Sequence, residues 1–185
     1  MEIQTHNLYL FKALDAYPYE LEETIEALNY ALSYDPNDVE ALRLMGLVYS
    51  EQLRDYEQAK LCFQRALAEK IEYAKVYPDY IYALTRNGDH EEAFKLIEYA
   101  KKVKGIDRAL IFLMEGQLLE RCKDYKAAVK ALEEAKLSGL NSSFVGFVKN
   151  EISRVKDKMP GKKKKKKPKK KSKKKGERKS GSNKT

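Results

Sequence analysis

The amino-acid sequence predicts an all-α solenoid followed by a structureless basic tail. Three observations carry this expectation. Ala31, Ala66, Ala100 and Ala135 recur every 34 or 35 residues. Apolar Leu28, Phe63, Ile97 and Leu132 sit three residues before them, and Thr24, Ala59, Ala93 and Ala128 seven before. Small, apolar and small residues at that spacing mark one face of a helix that a neighbour approaches closely. A second helical pattern precedes each of these, with turn residues between the two. A period in this range is the signature of a stacked repeat, so the repeat governs every later step.

Taken in order, the units run over about 5–36, 37–71, 72–106 and 107–140. The first unit opens on a weak pattern, Asn7–Leu10–Phe11–Leu14. Asp35-Pro36-Asn37-Asp38 ends it and starts the next, because Pro cannot continue a helix. The second unit has the clearest pattern, Leu42–Met45–Gly46–Tyr49, then Asp55 before Tyr56-Glu57-Gln58. An Asp accepting amide hydrogens with Gln or Glu three residues on has the form of a capping box, and Asp89 with Glu92 repeats it. The third unit has Tyr77–Tyr80–Ile81–Leu84, and Pro78, which fits only near a first turn, predicts a helix that starts late or kinks. The fourth has Phe112–Glu115–Gly116–Leu119, then Asp124 before Tyr125. Residues 142–158 read as one more helix with an apolar face of Phe144, Val145, Phe147, Val148, Ile152 and Val155. That helix is expected to cap the open end of the last repeat.

Helix–turn–helix units of this period resemble the tetratricopeptide repeat, whose pattern is W-x2-L-G-x2-Y, then A-x3-F, then a late Pro. The second unit matches best, through Met45-Gly46-x2-Tyr49 and Ala59-x3-Phe63, with Leu42 in place of the Trp. The resemblance covers about Thr5 to Leu140. It implies a right-handed α-solenoid of about four units plus the capping helix, with the first helix of each unit lining a concave face. On that pattern Glu40, Arg43, Leu47 and Ser50 fall in the groove, with Lys75, Tyr82 and Arg86 from unit three. Unit four contributes Leu110, Leu113, Gln117 and Arg121. Leu47, Tyr82, Leu110 and Leu113 are apolar or aromatic where solvent would otherwise stand. They suit a partner protein or peptide segment edged by Arg43, Lys75 and Arg86, or else neighbouring helices cover them. A family subtype that clamps a C-terminal carboxylate is not matched, because Asp79 stands where an Arg is expected and Leu44 where an Asn is. Tyr73, Tyr77 and Tyr80 form a stripe that could stack on bases but fits core packing better.

Charge divides the chain in two. The 185 residues carry a net charge of +9 and are 43% hydrophobic. Residues 161–185 hold 15 basic and one acidic residue, +14 in all, leaving −5 for the first 160. This excludes a uniformly basic nucleic-acid-binding domain and a fully disordered chain. The tail has three lysine blocks: Lys162, Lys163, Lys164, Lys165, Lys166 and Lys167; then Lys169, Lys170 and Lys171; then Lys173, Lys174 and Lys175. Mutual repulsion and the lack of anything to bury predict an extended, disordered segment. Its preferred partner is a polyanion, held by counterion release without sequence reading, as with nucleic acid or the ribosome. An anionic membrane, worth about 1 kcal/mol per Lys near its surface, the acidic domain itself, or no specific partner also fit.

No chemistry-bearing constellation is visible. His6 and His90 have no metal-ligand spacing, no Gly-rich loop follows a strand, and the Glu residues alternate with Lys as solvated helix faces. Cys62 and Cys122 read as small hydrophobes in a reducing setting. No apolar run reaches transmembrane length, and Met1–Lys12 has no secretion-signal pattern. The expected protein is therefore a cytoplasmic, non-enzymatic adaptor without a cofactor, with nuclear import also possible for a eukaryotic source. The alternative is a nucleic-acid- or ribosome-associated protein whose tail supplies the main affinity. Oligomeric state is left open.

Overall fold

The computed structural model describes residues 5–159, so the tail lysines lie outside the described residues. Within this range there are helices and no strands. They are α1 (Thr5–Ala16), α2 (Leu21–Tyr34), α3 (Val39–Leu47), α4 (Tyr56–Glu69) and α5 (Val76–Asn87), then α6 (His90–Ala100), α7 (Arg108–Arg121), α8 (Tyr125–Ser138) and α9 (Ser142–Lys158). A π-helical turn, Val48–Leu53, continues α3. Each odd helix up to α7 packs on the even helix that follows it. The odd helices also touch one another in sequence, α1 on α3, α3 on α5 and α5 on α7. Helix pairs stacked through their first helices make the layered solenoid that the repeat columns predict.

Close approach within a pair depends on small residues. A Cβ at Gly46 would stand 2.5 Å from Phe63 Cε1, and one at Gly116 would stand 2.6 Å from Leu132 Cγ. Those glycines let α3 meet α4 and α7 meet α8. The column residues Ala59, Phe63 and Ala66, with Ala93, Ile97 and Ala100, join Tyr77, Tyr80, Ile81 and Leu84 in the central core. Burying such aliphatic and aromatic side chains contributes about 1.5–3 kcal/mol each relative to exposure.

Asp side chains cap the starts of α3, α4, α7 and α8. Asp38 accepts from the amides of Glu40 and Ala41 at 3.0 and 2.9 Å, and Asp55 from Gln58 at 3.1 Å. Asp107 and Asp124 accept from Leu110 and Ala127, each at 3.0 Å. Asp89 departs from the expected box. Its carboxylate is taken by Lys60 Nζ at 2.6 Å and Asn87 Nδ2 at 2.8 Å, while Glu92 accepts the Tyr80 hydroxyl at 2.7 Å. A charged ammonium outcompetes a backbone amide for that carboxylate. Asp38→Ala is expected to lower stability by about 1 kcal/mol. That loss reads as a melting temperature roughly 2–4 °C lower for a domain of this size.

The structure revises the first two units. In α1 Tyr9, Leu10 and Ala13 pack and Ala16 is buried, while Phe11 and Leu14 are exposed. Of the expected frame, Leu10 therefore packs and Phe11 and Leu14 do not. Small Ala13 takes the close-approach place that Gly46 and Gly116 fill, which a Phe could not. From these positions to the next small column is 11 residues in unit one (Ala13 to Thr24), 13 in unit two (Gly46 to Ala59) and 12 in unit four (Gly116 to Ala128). The π-helical turn absorbs the extra residue of unit two, since it winds more residues per turn than an α-helix. Arg54, in the left-handed region at φ 57°, closes it.

Pro78 lies in the first turn of α5, which is where it is tolerated. On α9, Val148, Ile152 and Val155 are buried against α8, but Phe147 is 48% exposed and stands off that face. Arg154 and Lys158 of α9 reach back to Glu120 of α7 at 2.5 and 2.7 Å. These cations hold the Glu120 carboxyl below its usual range. The last helix thus bonds to both helices of the fourth pair.

Candidate partner-binding groove

The candidate surface is the face that α3, α5 and α7 present together, since these helices stack directly. The expected site residues separate into three groups on it.

Leu47 and Leu113 are not available to a partner. They are 9% and 7% exposed. Leu47 packs in one core with Ala13, Leu28 and Cys62, and Leu113 in another with Leu132, Val148 and Ile152. Neighbouring helices cover both, so the reading of them as exposed groove contacts is corrected. Ser50 is buried as well. Leu110 is half-buried against the second of those clusters.

Arg43 is engaged within the chain. Its Nε donates to Asp79 Oδ2 at 2.7 Å and its Nη1 to Glu40 Oε1 at 3.0 Å. The Tyr73 hydroxyl also donates to Glu40. Arg43 is therefore a strut between α3 and α5, not a free cation edging the groove. Burial pushes the Asp79 carboxyl up to about 6, against the opposing pull of Arg43. A desolvated carboxylate with one cationic partner is a cost that the ion pair only partly offsets.

Lys75, Tyr82, Arg86 and Gln117 remain exposed, as does Arg121. Tyr82 is 39% exposed, with the Arg86 guanidinium 5.9 Å from its ring centroid. That geometry is a cation–π contact, and Arg86 Nε also faces the Tyr56 hydroxyl at 3.5 Å. Tyr82 and Gln117 are 35 residues apart on adjacent helices, as are Arg86 and Arg121. The open surface is consequently concentrated at the C-terminal ends of α5 and α7.

Tyr77 and Tyr80 are core residues, whose hydroxyls donate to Ile71 O at 2.6 Å and Glu92 Oε1 at 2.7 Å. Tyr73 lies in the turn before α5 and not on a helical stripe with them. Cys62 is buried and its thiol is pushed up to about 11 by desolvation. Cys122 is exposed just past α7, with Sγ 3.6 Å from His90 Nδ1, so it does not pack as a small hydrophobe. Among the described residues, no group of three or more His, Cys, Asp or Glu side chains could hold a metal ion. No described helix is long and apolar enough to cross a membrane.

Reading the sequence for columns missed a set of cross-repeat pairs. Arg43–Asp79, Tyr73–Glu40, Tyr17–Glu51 and Arg154–Glu120 are separated by 36, 33, 34 and 34 residues. Hydrogen-bonding partners about one repeat apart were the available signal.

Repeated helix pairs, close contacts at small residues and a layer of stacked first helices define a tetratricopeptide-type solenoid. Solved structures of the same fold agree. A structure described as a functional characterization of Pseudomonas aeruginosa pilF superposes with a TM-score of 0.72 at 19% identity, covering 83% of this chain and 70% of that one. PilW, described as a widely conserved type IV pilus biogenesis factor, gives 0.71 at 13% identity, covering 84% and 72%. Yeast Tom70 gives 0.70 at 16% identity, covering 84% of this chain and 34% of its own. By sequence, the chain is 25% identical over 133 residues to anaphase-promoting complex subunit 3 of Schizosaccharomyces pombe. The match covers 72% of this chain and 20% of that relative, so the chain spans about a fifth of its length. No family model matches. In its fold the chain is a stacked helix-pair solenoid like these structures, and its repeat columns resemble the tetratricopeptide pattern.

Proposed function

We propose that this protein is a non-enzymatic adaptor that holds a segment of a partner protein along the face of α3, α5 and α7. Its lysine tail then tethers the assembly to a polyanion. The observation that supports the groove is Tyr82. A large aromatic side chain is left 39% exposed on a first helix, beside the Arg86 guanidinium, while Leu47 and Leu113 are covered. Exposed aromatic and Arg residues on a concave scaffold are the types that anchor protein interfaces. The relative named as a subunit of the anaphase-promoting complex is by its name part of an assembly, which agrees with this reading. The working set is Lys75, Tyr82, Arg86, Leu110 and Gln117, with Arg43 as a support beneath it.

A photo-crosslinking residue at position 82 of the full chain tests this. It should capture discrete polypeptides in cells, resistant to nuclease, while the same residue at Lys95 on exposed α6 captures none of them. Equal capture at both positions would sink the groove. The second reading, nucleic-acid or ribosome association, is favoured by +14 over the 25 residues from 161. It predicts that removing residues 161–185 abolishes partner recovery, and that added salt or nuclease does the same.

A further inference from the structure

The charges on the first helices are not balanced at random. Every acidic side chain of α3, the π-helical turn, α5 and α7 has an internal partner. Glu40 and Asp79 hold Arg43, Glu51 takes the Tyr17 hydroxyl at 2.6 Å, Glu115 takes Lys101 at 2.8 Å, and Glu120 takes Arg154 and Lys158. The basic residues in the last turns of α5 and α7, Arg86 and Arg121, have no acidic partner among the described residues. They share one repeat column with Glu51, at intervals of 35 residues.

Helix α9 ends at the same place: its last residue, Lys158, bonds Glu120 at 2.7 Å, and Glu120 precedes Arg121 in the last turn of α7.

We propose that the partner segment is an acidic stretch of polypeptide. Its carboxylates pair with Arg86 and Arg121, and an apolar side chain rests on Tyr82. This rests on the groove reading above. Packed helices lie about 8–10 Å apart. An extended chain advances roughly 3.3 Å per residue, so acidic residues two or three apart reach both guanidiniums. Planar guanidiniums donate two parallel hydrogen bonds to a carboxylate, which favours Arg over Lys here. Glu51 decides between polypeptide and nucleic acid. A nucleic-acid backbone is negative at every step and would lie against Glu51 in the same column. A polypeptide can place a neutral or basic residue there.

The test uses the full chain and a fluorescein-labelled peptide of alternating Glu and Gly around one Phe. Its controls are the same peptide with Gln for Glu and a single-stranded oligouridylate of equal charge. The acidic peptide should bind, and R86Q/R121Q should weaken it about tenfold, or roughly 1.4 kcal/mol. R86K/R121K should weaken it less. Both pairs are exposed, so an unchanged melting temperature confirms that folding is intact. A loss under about twofold on R86Q/R121Q overturns the acidic assignment. Equal weakening of the oligouridylate by R86Q/R121Q also overturns it, in favour of nucleic acid. A crosslinker at position 82 separates the two readings. If it captures the Gln peptide as well as the Glu peptide, the groove stands and the acidic choice falls. If it captures neither, the groove reading falls with the proposal.

Discussion

Phe63→Ala is expected to lower the stability of the domain by about 3–5 kcal/mol. The ring is fully buried and fills the space over Gly46, its centroid 5.7 Å from that of Tyr80. It thus packs α4 against both its own first helix and the first helix of the next pair. Truncation removes the transfer energy of the ring and leaves a cavity walled by helices whose backbones cannot collapse inward. Gly46 offers no side chain to fill it. A loss of that size corresponds to a melting temperature lower by roughly 6–20 °C. Urea titration should show a lower midpoint with an unchanged slope, the sign of lost stability and not of a changed denatured state. A loss below about 1 kcal/mol would mean that the repeat column is not what holds the pairs together.

That column was also what made the fold legible. Phe63, Ile97 and Leu132 repeat with the flanking small residues because every pair repeats one packing problem. Periodicity shows whatever each unit must do again. It does not show what a unit does once. The π-helical turn answers a single extra residue in unit two. Unit one packs through Ala13 and not through Phe11, two residues away, because an alanine next to apolar residues carries little pattern of its own. The groove was legible only in part for a related reason. Leu47, Tyr82 and Gln117 stand 35 residues apart in one column, but burial depends on the neighbour. Leu47 meets the core shared with α1 and α2, while Tyr82 has no such cover. Arg43 and Asp79 lie 36 residues apart, and their pairing requires knowing that α3 and α5 stack.

Arg43→Met tests that strut, with an expected loss of about 2–4 kcal/mol near pH 8. The figure lies slightly below that for stranding a fully buried charge, because the Arg43 and Asp79 side chains are 19% and 20% exposed. The substitution keeps the length of the stem and removes the only cation bonding Asp79 among the described residues. Glu40 is less affected, since it keeps the Tyr73 hydroxyl. The sign of the pH dependence follows from Asp79. In the native protein burial has already raised its carboxyl to about 6, above the ordinary 3.8, with Glu51 and Glu40 adding to the rise. A native group that binds its proton more tightly than the unfolded one favours folding at low pH. Its ionisation opposes folding as pH climbs through the native value. Arg43 pulls that value down, so losing it moves the carboxyl higher still and widens the window. The Arg43→Met deficit should therefore be largest at pH 8 and shrink toward pH 5, where Asp79 takes its proton. Asp79→Asn in the same chain should recover more than half of the loss at pH 8, because an amide can be buried without charge. A deficit that is equal at both pH values, or that grows toward acid, would show that Arg43 acts through packing of its stem instead of through its charge.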